Sequence, residues 1–295
     1  MTKRAEFHEY VAAWGARLGL GLFGLLPLDA ASALGGWLGR TLGPLFAVSK
    51  VARHNLARAM PELDEAGREA VVSRMWDNLG RVLAEYAHLH RLRIGRSPED
   101  RIEVIGAEHV EAIRASGQPS LFFTAHYGNW ELSNLTIPQL GLPMLVVYRA
   151  ANNPLTDEML QQLRDRLGNR HVPKGTQAAR EIVRSLKNGQ AVGMLVDQKL
   201  GNGIAVPFFG RDAMTAPAIA EFALHFDCPV VPVFVERLRG AKWRVTIEPP
   251  FRLAATGDRK QDVYEGMAAI NRRIESWVRA RPDHWFWVHR RWPKD

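Results

Sequence analysis

Leu121-Phe122-Phe123-Thr124-Ala125-His126-Tyr127-Gly128-Asn129-Trp130-Glu131 is the stretch from which the fold can be read. A short apolar run stops at a histidine, a glycine follows, and a glutamate opens a segment of helical character. Four or five apolar residues bounded by turn signals suit a buried strand better than a helix. The stretch is therefore expected to be a strand, a turn and the first turn of a helix.

Working outward, the same alternation repeats. Leu121 to Thr124, Met144 to Tyr148, Ala191 to Val196 and Val230 to Val235 read as buried strands. Helical segments near Trp130 to Leu140, Pro154 to Leu167, Thr176 to Lys187 and Ala216 to His225 lie between them, and a long helix from about Gln261 to Ala280 follows. Strands alternating with helices imply an α/β layer, a largely parallel sheet flanked by helices. Upstream the pattern is helical throughout. Lys50 to Met60 is basic and amphipathic, Pro61 breaks the chain, and Asp64 caps a new helix running to about Leu92. The polar run Gly95 to Asp100 marks the expected boundary, dividing a helical region (1–95) from an α/β domain (96–295).

The segment Leu18 to Gly39 is apolar apart from Asp29, but Pro27 and Asp29 interrupt it. It reads as two short helices broken at Leu26 to Asp29, lying on or dipping into a membrane. A true span and a water-soluble helical hairpin are the competing readings. The net charge of +8 favours an anionic partner: nucleic acid, an anionic membrane, an acidic protein or a phosphorylated substrate. Nine tryptophans suit a membrane interface, although any single one is as well placed in a core. One cysteine, Cys228, excludes an intrachain disulfide and reads as a buried structural thiol.

His126 stands where open α/β sheets bind ligands, at the C-terminal end of a strand. Five residues on, Glu131 would point away from it on one continuous helix. Across a turn at Gly128 the two side chains can meet, and a carboxylate touching the imidazole would fix its tautomer and make it a general base. His-x-x-x-x-Glu alone is a weak signal. A metal site would be expected to bring a second histidine at helical spacing, and this segment has one. Asp197 and Gln198 follow another buried strand and are candidate substrate-binding residues; Asp197 either takes a substrate hydroxyl or orients a basic residue. Arg149, which follows a third strand, and Arg164 and Arg166 on the next helix suit phosphate or carboxylate recognition. The tail Trp285 to Trp292 mixes aromatic and cationic residues, a composition fitting a membrane interface, a phosphorylated head group or nucleic acid.

Taken together these motifs resemble the late acyltransferases of bacterial lipid A biosynthesis, the lauroyl and myristoyl transferase group. HYGNWE at 126–131 resembles their hallmark, a variant of the H-x4-D/E motif of glycerolipid acyltransferases. Tyr148-Arg149 with Asn153-Pro154, VDQK at 196–199, VPFFG at 206–210 with Thr215, and WVHRRW at 287–292 also match. So do Asn55-Leu56, Met60 to Leu63, and Gly80-Arg81 with Glu85. The resemblance spans nearly the whole chain. It implies a glycerolipid-acyltransferase-like α/β domain behind a membrane-associating helical region, at the cytoplasmic face of a bacterial inner membrane. It implies His126 and Glu131 as the catalytic dyad, activity linked to Asp197 and to an arginine between Arg149 and Arg166, and no cofactor or metal. The implied donor is acyl-acyl carrier protein, and the acceptor a hydroxyl of a phosphorylated lipid A precursor. Transfer to another glycerolipid or glycolipid, a thioester or lipid hydrolase, and a nucleic-acid-binding protein are the rival readings; the last leaves the HYGNWE junction unexplained.

Overall fold

A computed structural model describes residues 7–95 and 100–293. Residues 96–99, the middle of the expected boundary, lie outside the described residues. Four helices lead: α1 (Phe7–Leu25), α2 (Leu28–Leu42), α3 (Ser49–Ala59) and α4 (Glu65–Glu85). The break between the first two falls at Leu26-Pro27, as expected, because Pro27 takes an extended ψ and cannot continue a helix. Asp64 caps α4, its Oδ1 accepting from the Gly67 amide at 2.7 Å. α4 stops at Glu85 rather than near Leu92. The amides of Ala87 and His88 bond three residues back, to Ala84 and Glu85, and this tighter winding ends the helix.

α2 lies directly on α4. A methyl group on Gly80 would overlap the Gly35 carbonyl oxygen, and one on Gly39 would overlap that of Trp76. The glycines that weaken this segment as a membrane span are thus a packing face. Among the described residues no helix is long and apolar enough to cross a membrane. The outer side of α1 is nonetheless apolar and open: Phe7, Val11, Trp14, Leu18, Leu22 and Leu25 recur at helical spacing, and Trp14 is 66% exposed.

The rest of the chain runs β1 (Ile102–Ile105), α5 (Ala107–Ser116), β2 (Ser120–Thr124), α6 (Glu131–Gln139), β3 (Met144–Tyr148), α7 (Pro154–Arg164), β4 (Arg170–Pro173), α8 (Thr176–Lys187) and β5 (Ala191–Leu195). It continues β6 (Lys199–Phe208), β7 (Arg211–Thr215), α9 (Ala218–Phe226), β8 (Val230–Arg239), β9 (Lys242–Ile247) and α10 (Arg259–Ala280). Seven strands form one sheet in the order β1-β9-β8-β2-β5-β3-β4, parallel throughout except for β8 against β9. β6 and β7 make a separate antiparallel hairpin. The expected α/β class and parallel sheet are therefore present. β2 is buried along its whole length and feeds two cores: Leu121 and Phe123 face the cluster shared with α10 and the N-terminal helices, and Phe122 faces the cluster beneath α5 and α6.

Helices and sheet are joined by a buried ion pair. Arg237 on β8 grips the fully buried Glu85 of α4 at 2.6 Å, and Ser32 and Asn129 donate to the same carboxylate at 2.7 and 2.8 Å. The tail corrects an expectation. Trp285, Trp287 and Trp292 are buried and Arg291 is fully so, hence most of this segment is core rather than an interfacial surface. Trp285 packs edge-on against Trp287, and Trp292 stacks on Phe208. The exposed tryptophans are Trp14 and Trp37, on α1 and α2. Cys228 is buried, and burial pushes its thiol up to about 11, in keeping with a structural role.

Candidate active site

Register builds the site. β2 and β5 are parallel neighbours with Thr124 opposite Leu195, and the Val196 amide still bonds to the Thr124 carbonyl oxygen at 3.2 Å. Two residues beyond each partner stand His126 and Asp197. The Asp197 Oδ1 lies 2.8 Å from His126 Nδ1, and its Oδ2 accepts from the His126 amide at 2.9 Å. Trp285 Nε1 donates to the same Oδ2 at 2.9 Å. Burial opposes ionisation of Asp197, yet the facing imidazole and these donors hold its carboxyl down to about 2. An ionised Asp197 requires the proton on Nδ1 and leaves Nε2 with its lone pair. The His126 side chain keeps 20% of its surface, and the Gln198 amide nitrogen sits 3.3 Å from Nε2.

The turn that delivers His126 depends on Gly128. Its φ is +59°, and a Cβ there would overlap the Val235 carbonyl oxygen. The strand edge at 126–128 is then zipped to the tail. Gly128 donates to the His284 carbonyl oxygen, Phe286 donates to that of His126, and Tyr127 bridges Trp285. Trp130 and Phe286 flank the imidazole, with ring centroids 5.2 and 6.1 Å away.

Glu131 takes a different place from the one its spacing suggested. It is 1% exposed, and its carboxylate is gripped by Arg164 at 2.7 Å, by the Tyr86 hydroxyl at 2.5 Å and by Asn134 at 3.3 Å. Burial works against its charge, but Arg164, Tyr86 and Asn134 hold it below the usual carboxylate range. The carboxylate on the imidazole is Asp197, so the expected His126–Glu131 contact is corrected. Trp130 turns its ring to His126 while the next residue, opening α6, turns towards α4 and α7. Asp197 thus lies against the His126 ring, the contact that the orienting reading requires.

The arginines separate as well. Arg164 is committed to Glu131 and lies over the Tyr148 ring, 5.7 Å from its centroid. Arg149 is exposed just beyond β3, on the edge of the sheet that carries His126, and bonds to Asn152 at 3.3 Å. Arg166 instead lines a groove with Leu89, His90, Arg93 and Pro143, at the opposite, N-terminal end of β3. Arg291 is a fourth cation, missed by sequence reasoning. It bonds to the Met214 carbonyl oxygen at 3.0 Å and the Thr215 hydroxyl at 2.7 Å, and burial lowers its guanidinium to about 10 against the pull of Asp197. Its signal was its place between Arg290 and Trp292 in a tail whose aromatics are core. Among the described residues no three His, Cys, Asp or Glu side chains converge as metal ligands.

A strand-end imidazole oriented by a buried carboxylate, with its other nitrogen turned to the side-chain amide of Gln198, is equipped to take a proton from a hydroxyl that replaces that amide. Comparison with known proteins agrees in class. The family model for bacterial lipid A biosynthesis acyltransferases matches residues 2–294. A lipid A biosynthesis acyltransferase of Haemophilus influenzae is 26% identical over 93% of this chain and 86% of its own length. The lipid A biosynthesis lauroyltransferase of Escherichia coli is 27% identical over 94% and 91%, and the myristoyltransferase of the same organism 26% over 93% and 85%. With a match running essentially end to end over a sheet that presents His126 and Asp197 together, the chain belongs to the bacterial lipid A biosynthesis acyltransferase family and is an acyltransferase.

Proposed function

We propose that the enzyme transfers a fatty acyl group from acyl-acyl carrier protein to a hydroxyl of a phosphorylated lipid A precursor, in a late, secondary acylation. The observation that carries this reading is the His126 ring, with Nδ1 held at 2.8 Å by Asp197 and Nε2 turned to the side-chain amide of Gln198 alone. The acceptor oxygen attacks the thioester carbonyl carbon as Nε2 removes its proton. The C–S bond breaks, and the imidazolium returns that proton to the departing thiolate. Asp197 stabilises the imidazolium between these steps. Gln198, at 3.3 Å from Nε2, marks the position the acceptor hydroxyl takes when its amide moves aside. Glu131 acts at one remove: by holding Arg164 and Tyr86 it anchors the first turn of α6, against which Trp130 and His126 are set. No cofactor is needed, since the donor supplies an activated acyl group.

Arg149, exposed just beyond β3, and the net charge of +8 suit an acidic carrier and phosphorylated acceptors. The exposed apolar stripe of α1 supports a monotopic seat on the cytoplasmic face of an inner membrane. The test is transfer by purified protein in detergent, with acyl-acyl carrier protein and a lipid A precursor, beside His126→Ala. Acylated lipid that falls at least 10²-fold in the folded variant is the expected result. Transfer that survives His126→Ala sinks the mechanism, and fatty acid released at the same rate without acceptor makes the enzyme a hydrolase instead.

A further inference from the structure

Resting on the acyl-transfer reading above, we propose that His289 is a second catalytic residue, whose Nδ1–H donates a hydrogen bond to the thioester carbonyl oxygen as that oxygen becomes negative. The argument begins with a tautomer. The backbone amide of Lys199 donates to His289 Nε2 at 2.8 Å. An amide nitrogen is a donor only, so Nε2 is the acceptor and bears no proton; in the neutral ring the proton is on Nδ1. Among the described residues Nδ1 has no hydrogen-bond partner, and the side chain is half-buried, so this donor is open to a ligand.

The ring is tied on two sides to neighbours of His126 and is held there. Lys199 follows Gln198, whose amide touches His126 Nε2. The His289 amide bonds back to the carbonyl oxygen of Phe286, the residue whose ring flanks His126. Asn55 reaches across from α3 and donates to the carbonyl oxygens of both Trp287 and His289 at 2.8 Å, which fixes the backbone from behind. Burial lowers the imidazole to about 4; Asp197 pulls the other way, while His126, Arg291 and Arg149 reinforce the effect of burial, so the ring is uncharged at neutral pH.

These properties suit an oxyanion donor. A pre-aimed N–H in a partly dehydrated site stabilises charge as it develops without needing to reorganise. A neutral imidazole donates that hydrogen bond without giving up its proton, so it does not compete with His126 for the leaving sulfur. In the step itself the acceptor oxygen bonds to the carbonyl carbon, the C–S bond breaks, and the hydroxyl proton travels through His126 to sulfur. His289 holds the same proton throughout.

Two conservative substitutions pull the roles of the ring apart. The carboxamide of asparagine falls where Nδ1 stands, and that of glutamine reaches where Nε2 stands. His289→Gln therefore keeps an acceptor for Lys199 and loses the donor to substrate, while His289→Asn does the reverse. Steady-state kinetics in detergent, with melting curves for each protein and His126→Ala alongside, separate them. His289→Gln is expected to melt near wild type and to lose about 10²–10³ in kcat with KM little changed. His289→Asn is expected to stay within about tenfold of wild-type kcat, the loss of a donor being what costs the larger factor. A glutamine variant as active as wild type, or more active than the asparagine variant, overturns the proposal and leaves His289 as a structural acceptor for Lys199. If His126→Ala also retains transfer, it is the acyl-transfer mechanism itself that fails.

Discussion

Asp197 receives two donors on Oδ2, the His126 amide and Trp285 Nε1, and faces the imidazole with Oδ1. That asymmetry dictates how an asparagine would sit. Its oxygen must stay with the two donors, which turns its NH2 towards His126 Nδ1. Nδ1 then has to accept, the ring proton moves to Nε2, and the base is lost. Asp197→Asn should therefore fold, yet lose about 10²–10⁴ in kcat, as read in the same transfer assay. The same carboxylate sets a limb of the stability curve. With its pKa held to about 2 against an ordinary 3.8, its ionisation contributes stability that is complete above pH 3.8 and is lost as pH falls from 3.8 through 2. The limb is worth about 2 kcal/mol, and urea titrations at stepped pH should show it flattened in Asp197→Asn. At this scale the sequence led to the expectation that His126 meets Glu131, whereas in the structure it meets Asp197. Glu131 was near in sequence, whereas Asp197 is 71 residues away. What would have found it is that both His126 and Asp197 stand just past the ends of buried strands, and parallel neighbours in register bring such positions together.

Between α2 and α4 the contact is backbone on backbone, through Gly35, Gly39 and Gly80. Gly80→Ala forces the helices apart where neither backbone can yield, and should cost about 1–3 kcal/mol, visible as a lower urea midpoint. The same change loosens Ser32 from Glu85, a bond of 2.7 Å that depends on the close approach. The major helices and the buried strands were legible because apolar runs such as Leu121 to Thr124, bounded by turn residues, suit a strand better than a helix. The strands not foreseen are of other kinds. β1 and β4 are four-residue strands at the two edges of the sheet, too short to show a pattern. β9 did carry a signal, since Trp243, Val245 and Ile247 alternate with Lys242, Arg244 and Thr246 at a period of two. β6 and β7 turn at Phe209-Gly210, with φ of +52° and +68°; a positive φ on phenylalanine gives no warning in sequence.

Taken whole, the molecule carries its sheet edge and its apolar stripe on different parts of the chain, and the two can be separated by experiment. Trp14→Asp with Leu18→Asp places charge in the middle of the exposed face of α1 while leaving His126 and its partners untouched. Sedimentation with anionic vesicles should show binding at least tenfold weaker, each lost side chain having been worth about 1.5–3 kcal/mol when buried in lipid. Turnover of detergent-dispersed acceptor should be unchanged; equal vesicle binding by the variant would remove α1 as the docking face. The helical character of residues 7–85 and their break at Pro27 were readable, whereas the attachment of these helices to the sheet through Glu85 and Arg237 was not, because the pair is separated by 152 residues. That long-range closure recurs at the tail. Residues 284–292 pair with the His126 turn, supply Trp285 to Asp197 and are clasped by Asn55. During synthesis the helices and the whole sheet emerge before these residues do. A chain made only as far as α10 thus has a histidine turn without its backbone partners and an Asp197 without the indole that bonds to it, so the turn is completed only once residues 284–292 dock.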